Sequence, residues 1–564
     1  MGKNLMLTAI LFSGCIFLMS SSSLTWVANA TVPLNPGSIL ASPGDTVTIT
    51  RYDSQSGPPG TRIVKDYLGG FHFPWMNGID FWSGNRWVYY NFLDENGVWR
   101  WPKVGTQVNT TQGAGYPQID VFGDGRAAVA YHSANNALYT CIGIDVFRGF
   151  GNFTELDVPE PAGPNHYYWP YETVDRQGRI HAVSTEYAGA GDPHRVSYAR
   201  SHDEGYTWTD PIVWDTLMNI STVLTSSRVS DKVAIAFTHP RDLVDPDLYN
   251  NDMCYYESLD GEIWNFNGGM MNVTNYQTED TIRAYYDCDA VYDREDNLHI
   301  IWNTPYYDEI GGHVSTDSCL VWHWSQQTGI ILVADGSWSS YPPSGNLSVS
   351  KMNIAVDAEN NLFAIWSQFD TLDVSAGGYS NGELYMSYST DAGLTWREPE
   401  NLTNSPTPGC QPEECDCDVW PSLAEEVDDY VHIVYINDKD AGVAPHQGDT
   451  TSNPQLYLKV ENPAGQANVE EMKANHPTET SLLQNYPNPF NASTTISYQL
   501  SESGKARLDI YNLAGQLVET LVNSHQQAGY KTATWDGSQY SSGIYFCRLV
   551  VADFSEAKSI ILVK

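Results

Sequence analysis

Basic residues are scarce in this chain. Lys and Arg number 29 against 68 Asp and Glu in 564 residues, a formal charge of −39. A surface this acidic repels phosphate backbones and anionic lipids, so no nucleic-acid partner is expected. After the first thirty residues no apolar run is long enough to cross a bilayer, so no transmembrane segment is expected after signal cleavage. A Gly-rich phosphate loop, G-x-S-x-G and H-E-x-x-H are all missing, which argues against nucleotide enzymes, common serine hydrolases and zinc proteases. Long amphipathic helices are missing too. Cysteine is sparse at nine. Cys410, Cys415 and Cys417 cluster with a spacing that fits no zinc site, so disulfides are the expected use.

The first residues set the compartment. Lys3 precedes an apolar Leu5–Leu18, and Ala28-Asn29-Ala30 is an A-x-A cleavage site. Residues 1–30 therefore read as a secretory signal peptide. Cys15 after Ser13-Gly14 allows a lipoprotein reading, but Phe12 stands where a lipobox prefers Leu, and the A-x-A site is better placed.

What the chain has in plenty is aromatics, with 35 Tyr and 18 Trp, and alternating apolar stretches with tight polar turns. Seven pieces recur, each read as a turn plus the second strand of a blade: Gly84–Tyr90, Gly123–His132, Asp175–Ser184, Ser230–Phe237, Asp293–Trp302, Asp357–Trp366 and Asp428–Tyr435. Their spacing of about 40–70 residues is that of propeller blades with loop insertions. Two stretches share S-x-D-x-G-x-T-W: Ser201, Asp203, Gly205, Thr207 and Trp208, then Ser389, Asp391, Gly393, Thr395 and Trp396. The Asp accepts turn N–H groups, the Gly takes positive φ, and the Trp covers the turn. Glu257–Trp264 (ESLDGEIW) is a degenerate copy, standing where the fourth blade would carry its box. These stretches resemble the Asp box of sialidases and many other β-propellers. The expected fold is all-β, with a six- or seven-bladed β-propeller over residues 31–460; the seven pieces favour seven.

Residues 461–480 are polar and aperiodic and read as a linker. Residues 481–564 return to alternating strands and read as a small Ig-like β-sandwich. Gln484–Asn491 (QNYPNPFN), Ile510–Gly515 (IYNLAG), Trp535–Gly537 (WDG), Ser542–Tyr545 (SGIY) and the final ILVK closely resemble the C-terminal sorting domain of the type IX secretion system. That resemblance implies handling by the type IX machinery and a secreted or outer-membrane-surface location in a Gram-negative, Bacteroidota-like bacterium. It says nothing about what the propeller does.

Ligands of propellers gather at the end bearing the loops between second and third strands and between blades. The loops expected there carry His72, Trp75, His166, Tyr167, Tyr168, Trp169, Tyr187, Tyr285, Tyr286, Tyr306 and Tyr307. Flat rings beside carboxylates and imidazoles suit an extracellular glycan or polymer. Trp75, His166, Tyr168, Trp169, Tyr285 and Tyr306 are the chosen contacts. The sialidase resemblance implies a different set: Arg195, Arg241 and Arg283 clamping a carboxylate, with Tyr187 and Glu186 as the nucleophile pair. The R-I-P string that opens such enzymes is missing, Arg62-Ile63-Val64 being nearest. A glycoside hydrolase or lyase and a structural or adhesive surface protein are the alternatives to binding. Asp287, Asp289, Asp293 and Asp296, and again Asp242–Asp247, allow calcium, though neither group matches an EF-hand loop.

Overall fold

The structure is a computed structural model. It describes residues 42–51, 60–78, 85–133, 139–186, 194–217, 222–240, 251–307, 314–443, 447–465 and 480–563, apart from a few positions inside these spans. The signal-peptide expectation, most of the linker, Arg241, Tyr187 and the Asp242–Asp247 group lie outside the described residues. The chain divides into two compact units, Met1–Asn462 and Pro463–Lys564.

The first unit is built of four-stranded antiparallel sheets. Six span residues 64–107, 115–157, 167–217, 222–272, 288–335 and 349–401. A seventh uses Cys417–Leu423, Tyr430–Asp438 and Asn453–Glu461, and takes its outer strand, Asp45–Thr50, from the start of the unit. Each sheet runs from its innermost strand outward, and innermost strands of successive sheets meet. Side chains join them. Asp120 accepts from Val174 N (2.7 Å), Asp289 from Ile354 N (2.9 Å) and Asn353 from Leu423 N (2.8 Å). The Thr173 and Ser226 hydroxyls bond at 2.9 Å, and Ser227 donates to Asp296 at 2.6 Å. Ile119 N donates to Thr61 O at 3.0 Å, and Arg62 N to Ser422 Oγ at 2.9 Å. The last two place residues 60–65 between the second sheet and the seventh, so the ring of sheets closes on itself.

Both S-x-D-x-G-x-T-W stretches are turns between the third and fourth strands of a sheet. Ser201 Oγ accepts Gly205 N (2.8 Å) and donates to Asp203 Oδ1 (3.0 Å); Asp203 accepts from the backbone and hydroxyl of Thr207, both at 2.7 Å. Ser389 and Asp391 repeat this. Glu204-Gly205 and Ala392-Gly393 each put two successive residues at positive φ. At Gly393 a Cβ would stand 2.2 Å from the His323 ring, so only Gly fits. Trp208 packs between the second and third sheets, and its Nε1 returns to Gly205 O at 2.9 Å. Ser201 is wholly buried. Ser201→Ala is expected to leave the Gly205 N–H unpaired and cost about 1–2 kcal/mol, read as a lower thermal midpoint with ligand binding intact.

The first sheet corrects the expected frame. Arg86–Tyr90 of the first piece belong to the sheet's third strand, Arg86–Leu93, while its second strand is Phe71–Gly78. Strand–turn–strand patterns repeat at every hairpin, so alternation alone does not say which hairpin of a blade is being read. His72 and Trp75, expected on ligand loops, are therefore strand residues. Both are wholly buried, Trp75 against Tyr89 and Gly105.

His72 belongs to a buried repeat. Tyr90 donates to His72 Nδ1 (2.7 Å), whose Nε2 donates to Asp66 (3.1 Å). Tyr198–His181–Asp175 and Tyr457–His432–Asp428 do the same in the third and seventh sheets; in the fifth, His323 replaces the Tyr beside His299 and Asp293. Burial drives His432 down to about 4 despite Asp428. Burial opposes ionisation of Asp175 and Asp428, but their His, Arg and Lys partners hold both at about 2.

Other buried carboxyls shift the opposite way. Burial pushes Asp289 and Glu383 up to about 8, Glu425 to about 7 against the pull of Arg228, and Asp418 to about 6. A carboxyl with a raised folded pKa binds its proton in the folded chain before it does so in the unfolded chain, so its ionisation costs stability as pH rises. A depressed Asp loses its contribution as pH falls from about 4 to about 2, and a depressed His as pH falls below about 6.5. The thermal midpoint should therefore climb from pH 8.5 to about pH 6.5 and collapse below about pH 4. A midpoint still rising between pH 6.5 and 8.5 would contradict these assignments.

The second unit has a three-stranded sheet (Ser481–Leu482, Ser493–Leu500, Gly529–Asp536) and a four-stranded sheet ordered Leu517–Gln526, Gly504–Asn512, Gly543–Val551, Phe554–Leu562. Both face one core containing Phe490, Ile496, Leu508, Trp535, Leu549 and Ile560. Among the described residues, no helix is long and apolar enough to cross a membrane.

Candidate functional site

One end of the ring carries an arginine plug that ties several sheets together. Arg228 leaves the first turn of the fourth sheet and donates to Val174 O (3.3 Å), Asp120 (3.1 Å) and Glu425 (3.2 Å), on the third, second and seventh sheets. Nearby, Arg294 pairs with Glu426 at 3.3 Å. Arg228 itself lines a small cavity here, with Ser226, Asp293, Arg294 and Glu425.

The opposite end is irregular. Four innermost strands break register there, between Gly115/Gln118, Tyr168/Tyr171, Ser350/Asn353 and Val419/Ser422. Each bulge holds a large residue at positive φ: Tyr116 at 55°, Trp169 at 54°, Lys351 at 60° and Trp420 at 56°. Such conformations cost about 1–3 kcal/mol each and gather where side chains are aimed for function. Three of the four precede proline: Tyr116-Pro117, Trp169-Pro170 and Trp420-Pro421.

Over the first three sheets the bulges assemble a cluster. Trp169 is half-buried, packs on Met76 and Tyr116, lies 4.2 Å from the Tyr168 ring, and meets His194 edge-on at 6.4 Å. His132 stands edge-on between Tyr116 (5.0 Å) and Tyr168 (5.8 Å). Arg86 donates to His132 Nε2 at 2.8 Å and lies 5.4 Å from the Tyr116 ring. Because Nε2 accepts, the His132 proton sits on Nδ1, which is buried without a hydrogen-bond partner among the described residues. Burial, and then Arg86, drive His132 well below its usual pKa, so it is neutral. Farther round, Lys351 pairs with buried Asp287 at 3.1 Å and lies 4.7 Å from the Trp420 ring. Wholly buried Arg62 donates to Trp420 O at 2.7 Å. Sequence reasoning missed Arg86, Tyr116, His132 and Trp420; the recurring aromatic–proline pair was the available signal.

The expected residues fall in several places. Tyr168 is buried and Trp169 part-exposed within the cluster. His166 is exposed and bonds Glu160 at 2.9 Å. Tyr285 packs on the core between the fifth and sixth sheets, and Tyr306 is exposed at the end of Leu298–Tyr307. Arg195 grips Glu186 with two bonds (2.7 and 2.6 Å), which hold that carboxylate at about 2. Arg283 is buried, donates to Asp280 O at 3.1 Å and lies 5.1 Å from the Tyr307 ring. Arg195 and Arg283 thus stand on the third sheet and before the fifth. Asp287, Asp289, Asp293 and Asp296 turn to separate partners: Lys351, Ile354 N, His299 and Ser227. Among the described residues, no three His, Cys, Asp or Glu side chains are placed to share a metal ion. Cys410 and Cys415 form a disulfide, and Cys417 beside them is a buried free thiol.

Several solved structures are similar in outline. A PL25 polysaccharide lyase, an ulvan lyase bound to -[GlcA(1-4)Rha3S]-, is 9% identical over 75% of this chain and 96% of its own, with a TM-score of 0.47. The α-L-arabinanase of Penicillium chrysogenum is 12% identical over 61% and 92%, with a TM-score of 0.39. The intramolecular trans-sialidase of Ruminococcus gnavus is 9% identical over 62% and 95%, with a TM-score of 0.36. No curated protein matches the chain. Residues 484–564 match the family described as "Secretion system C-terminal sorting domain", so the second unit is the type IX sorting domain and the chain is a secreted protein.

Proposed function

We propose that the first unit is a seven-bladed β-propeller that binds an extracellular glycan, and that the second unit is a small Ig-like sandwich that directs it to the cell surface. The cluster of Arg86, Tyr116, His132, Tyr168, Trp169 and His194 carries this reading. Part-exposed Trp169 offers a face for a sugar ring, and the part-exposed Arg86 guanidinium offers donors to its oxygens. At the other end Arg228 is engaged by Val174, Asp120 and Glu425, so the part-exposed ring at the bulged end is the better place for a ligand.

An enzymatic reading, glycoside hydrolase or lyase, draws support only from the pairing of a guanidinium and an imidazole in the cluster: His132 is neutral, but its basic nitrogen, Nε2, already accepts from Arg86. The sialidase set gains less support, because Arg195 is already engaged by Glu186. Calorimetric titration of the purified chain with neutral, carboxylated and sulfated polysaccharides tests the proposal, with reducing-end and 235 nm absorbance assays on the same mixtures. Saturable binding of one class is expected. No binding to any of them would overturn the reading, and release of new chain ends would replace binding with catalysis.

A further inference from the structure

The four-stranded sheet of the second unit turns one face to the core and the other to solvent. Tyr545, Cys547, Leu549 and Val551 alternate inward along their strand, so Ile544, Phe546 and Arg548 point outward. A solvated face of an antiparallel sheet is ordinarily polar. Here Leu517, Tyr511 and Phe546 stand side by side across three strands, because Tyr511 pairs with both of the others. Ile544 pairs with Ile561 alongside. Leu517 and Ile544 are about half exposed (49% and 47%), and Phe546 and Ile561 are exposed at 36%. Farther along the same face the residues become basic. Arg548 is opposite Asp509, which accepts from Arg507 at 2.7 Å, and Lys505 is opposite His525.

Charge sets this face apart from the rest of the molecule. Residues 481–564 contain six Lys and Arg and six Asp and Glu, so the whole excess of −39 lies before them. An apolar patch flanked by cations, on a chain otherwise strongly acidic, complements an apolar surface bordered by carboxylates. The family assignment states that this unit is read by a secretion system. We propose that the outward face bearing Tyr511, Leu517, Ile544, Phe546 and Ile561 is the surface read, and that it docks on an acidic-rimmed apolar surface of a protein of that machinery. An anionic membrane fits less well, because the charge of the preceding 480 residues repels it. A face with the Asp509 carboxylate held on it by Arg507 also suits a protein surface better than a lipid one.

The test uses the full chain in a bacterium that has a type IX system. Phe546→Thr is made alone, and together with Ile544→Thr and Ile561→Thr; Thr keeps the strand preference, and all three positions face solvent. Arg548→Glu reverses charge on the basic flank. Delivery to the surface is expected to fall at least tenfold in the triple variant and several-fold in each single variant. The undelivered chain should accumulate in the periplasm with an unchanged melting curve. Delivery of Phe546→Thr and of the triple variant at the native rate would overturn the proposal. It would also be overturned if the native chain, but not the triple variant, bound phosphatidylglycerol vesicles, since the face would then be a lipid surface.

Discussion

Arg228→Met is expected to be the most damaging single change at the plug end of the first unit, costing about 3 kcal/mol. Met keeps the length of the side chain but removes its charge and donors. Asp120 and Glu425 would then face each other near the axis without the guanidinium that now bonds both at 3.1 and 3.2 Å. Glu425 is already raised to about 7 by burial, with Arg228 the opposing influence. Losing Arg228 should push it higher, and the carboxyl pair should take up a proton near neutrality. The side chain of Arg228 is 26% exposed, which places the cost at the low end for breaking a buried pair. Thermal unfolding checks it: the midpoint should fall, more at pH 8 than at pH 6, and Arg228→Met with Asp120→Asn should recover part of the loss. A midpoint unchanged at both pH values would mean that the plug is dispensable and that sheet packing alone holds the ring.

Much of this architecture is legible in sequence, for local reasons. Asp203, Gly205 and Trp208 act within one turn, so eight residues reveal the turn without knowledge of what surrounds it. The sorting domain is legible because its motif residues stand unshifted in Gln484–Asn491 and Trp535–Gly537. What fails is the phase of the first sheet. Its hairpins look alike, and the strand that closes the ring comes from Asp45–Thr50, some 400 residues from its partner Asn453–Glu461. The Asp–His spacing of six at Asp66/His72, Asp175/His181 and Asp293/His299 is visible in the string, but its meaning depends on a Tyr or His from the next strand. The site is the least legible part. Trp75 and Trp169 both sit beside a proline, and only register separates them. Trp75 lies on a regular strand and turns into the core, whereas Trp169 sits on a bulge that turns its ring out of the ladder.

That difference makes the two tryptophans a matched test. Trp169→Ala is expected to weaken glycan binding ten- to hundredfold, about 1–3 kcal/mol, the scale for losing a well-placed aromatic anchor. It should leave the melting curve nearly unchanged, because the ring is part-exposed and sits on a bulge rather than in a regular strand of the core. Removing a positive-φ Trp even relieves some backbone strain if the bulge relaxes. Trp75→Ala is expected to do the opposite. Its ring is wholly buried beside Phe73, Ala424 and Val434, and deletion should cost about 3–5 kcal/mol, with any loss of binding tracking the loss of folded protein. Calorimetric titration and thermal melts on both variants separate the outcomes. Unchanged affinity in Trp169→Ala would remove the bulged cluster from the binding site, whatever the fate of Trp75→Ala. Should affinity survive there but fail in Arg86→Gln and His132→Ala, the ligand would be held by polar donors alone, and the role of the bulge would be to aim Tyr116 and Tyr168 against His132 rather than to stack on a sugar.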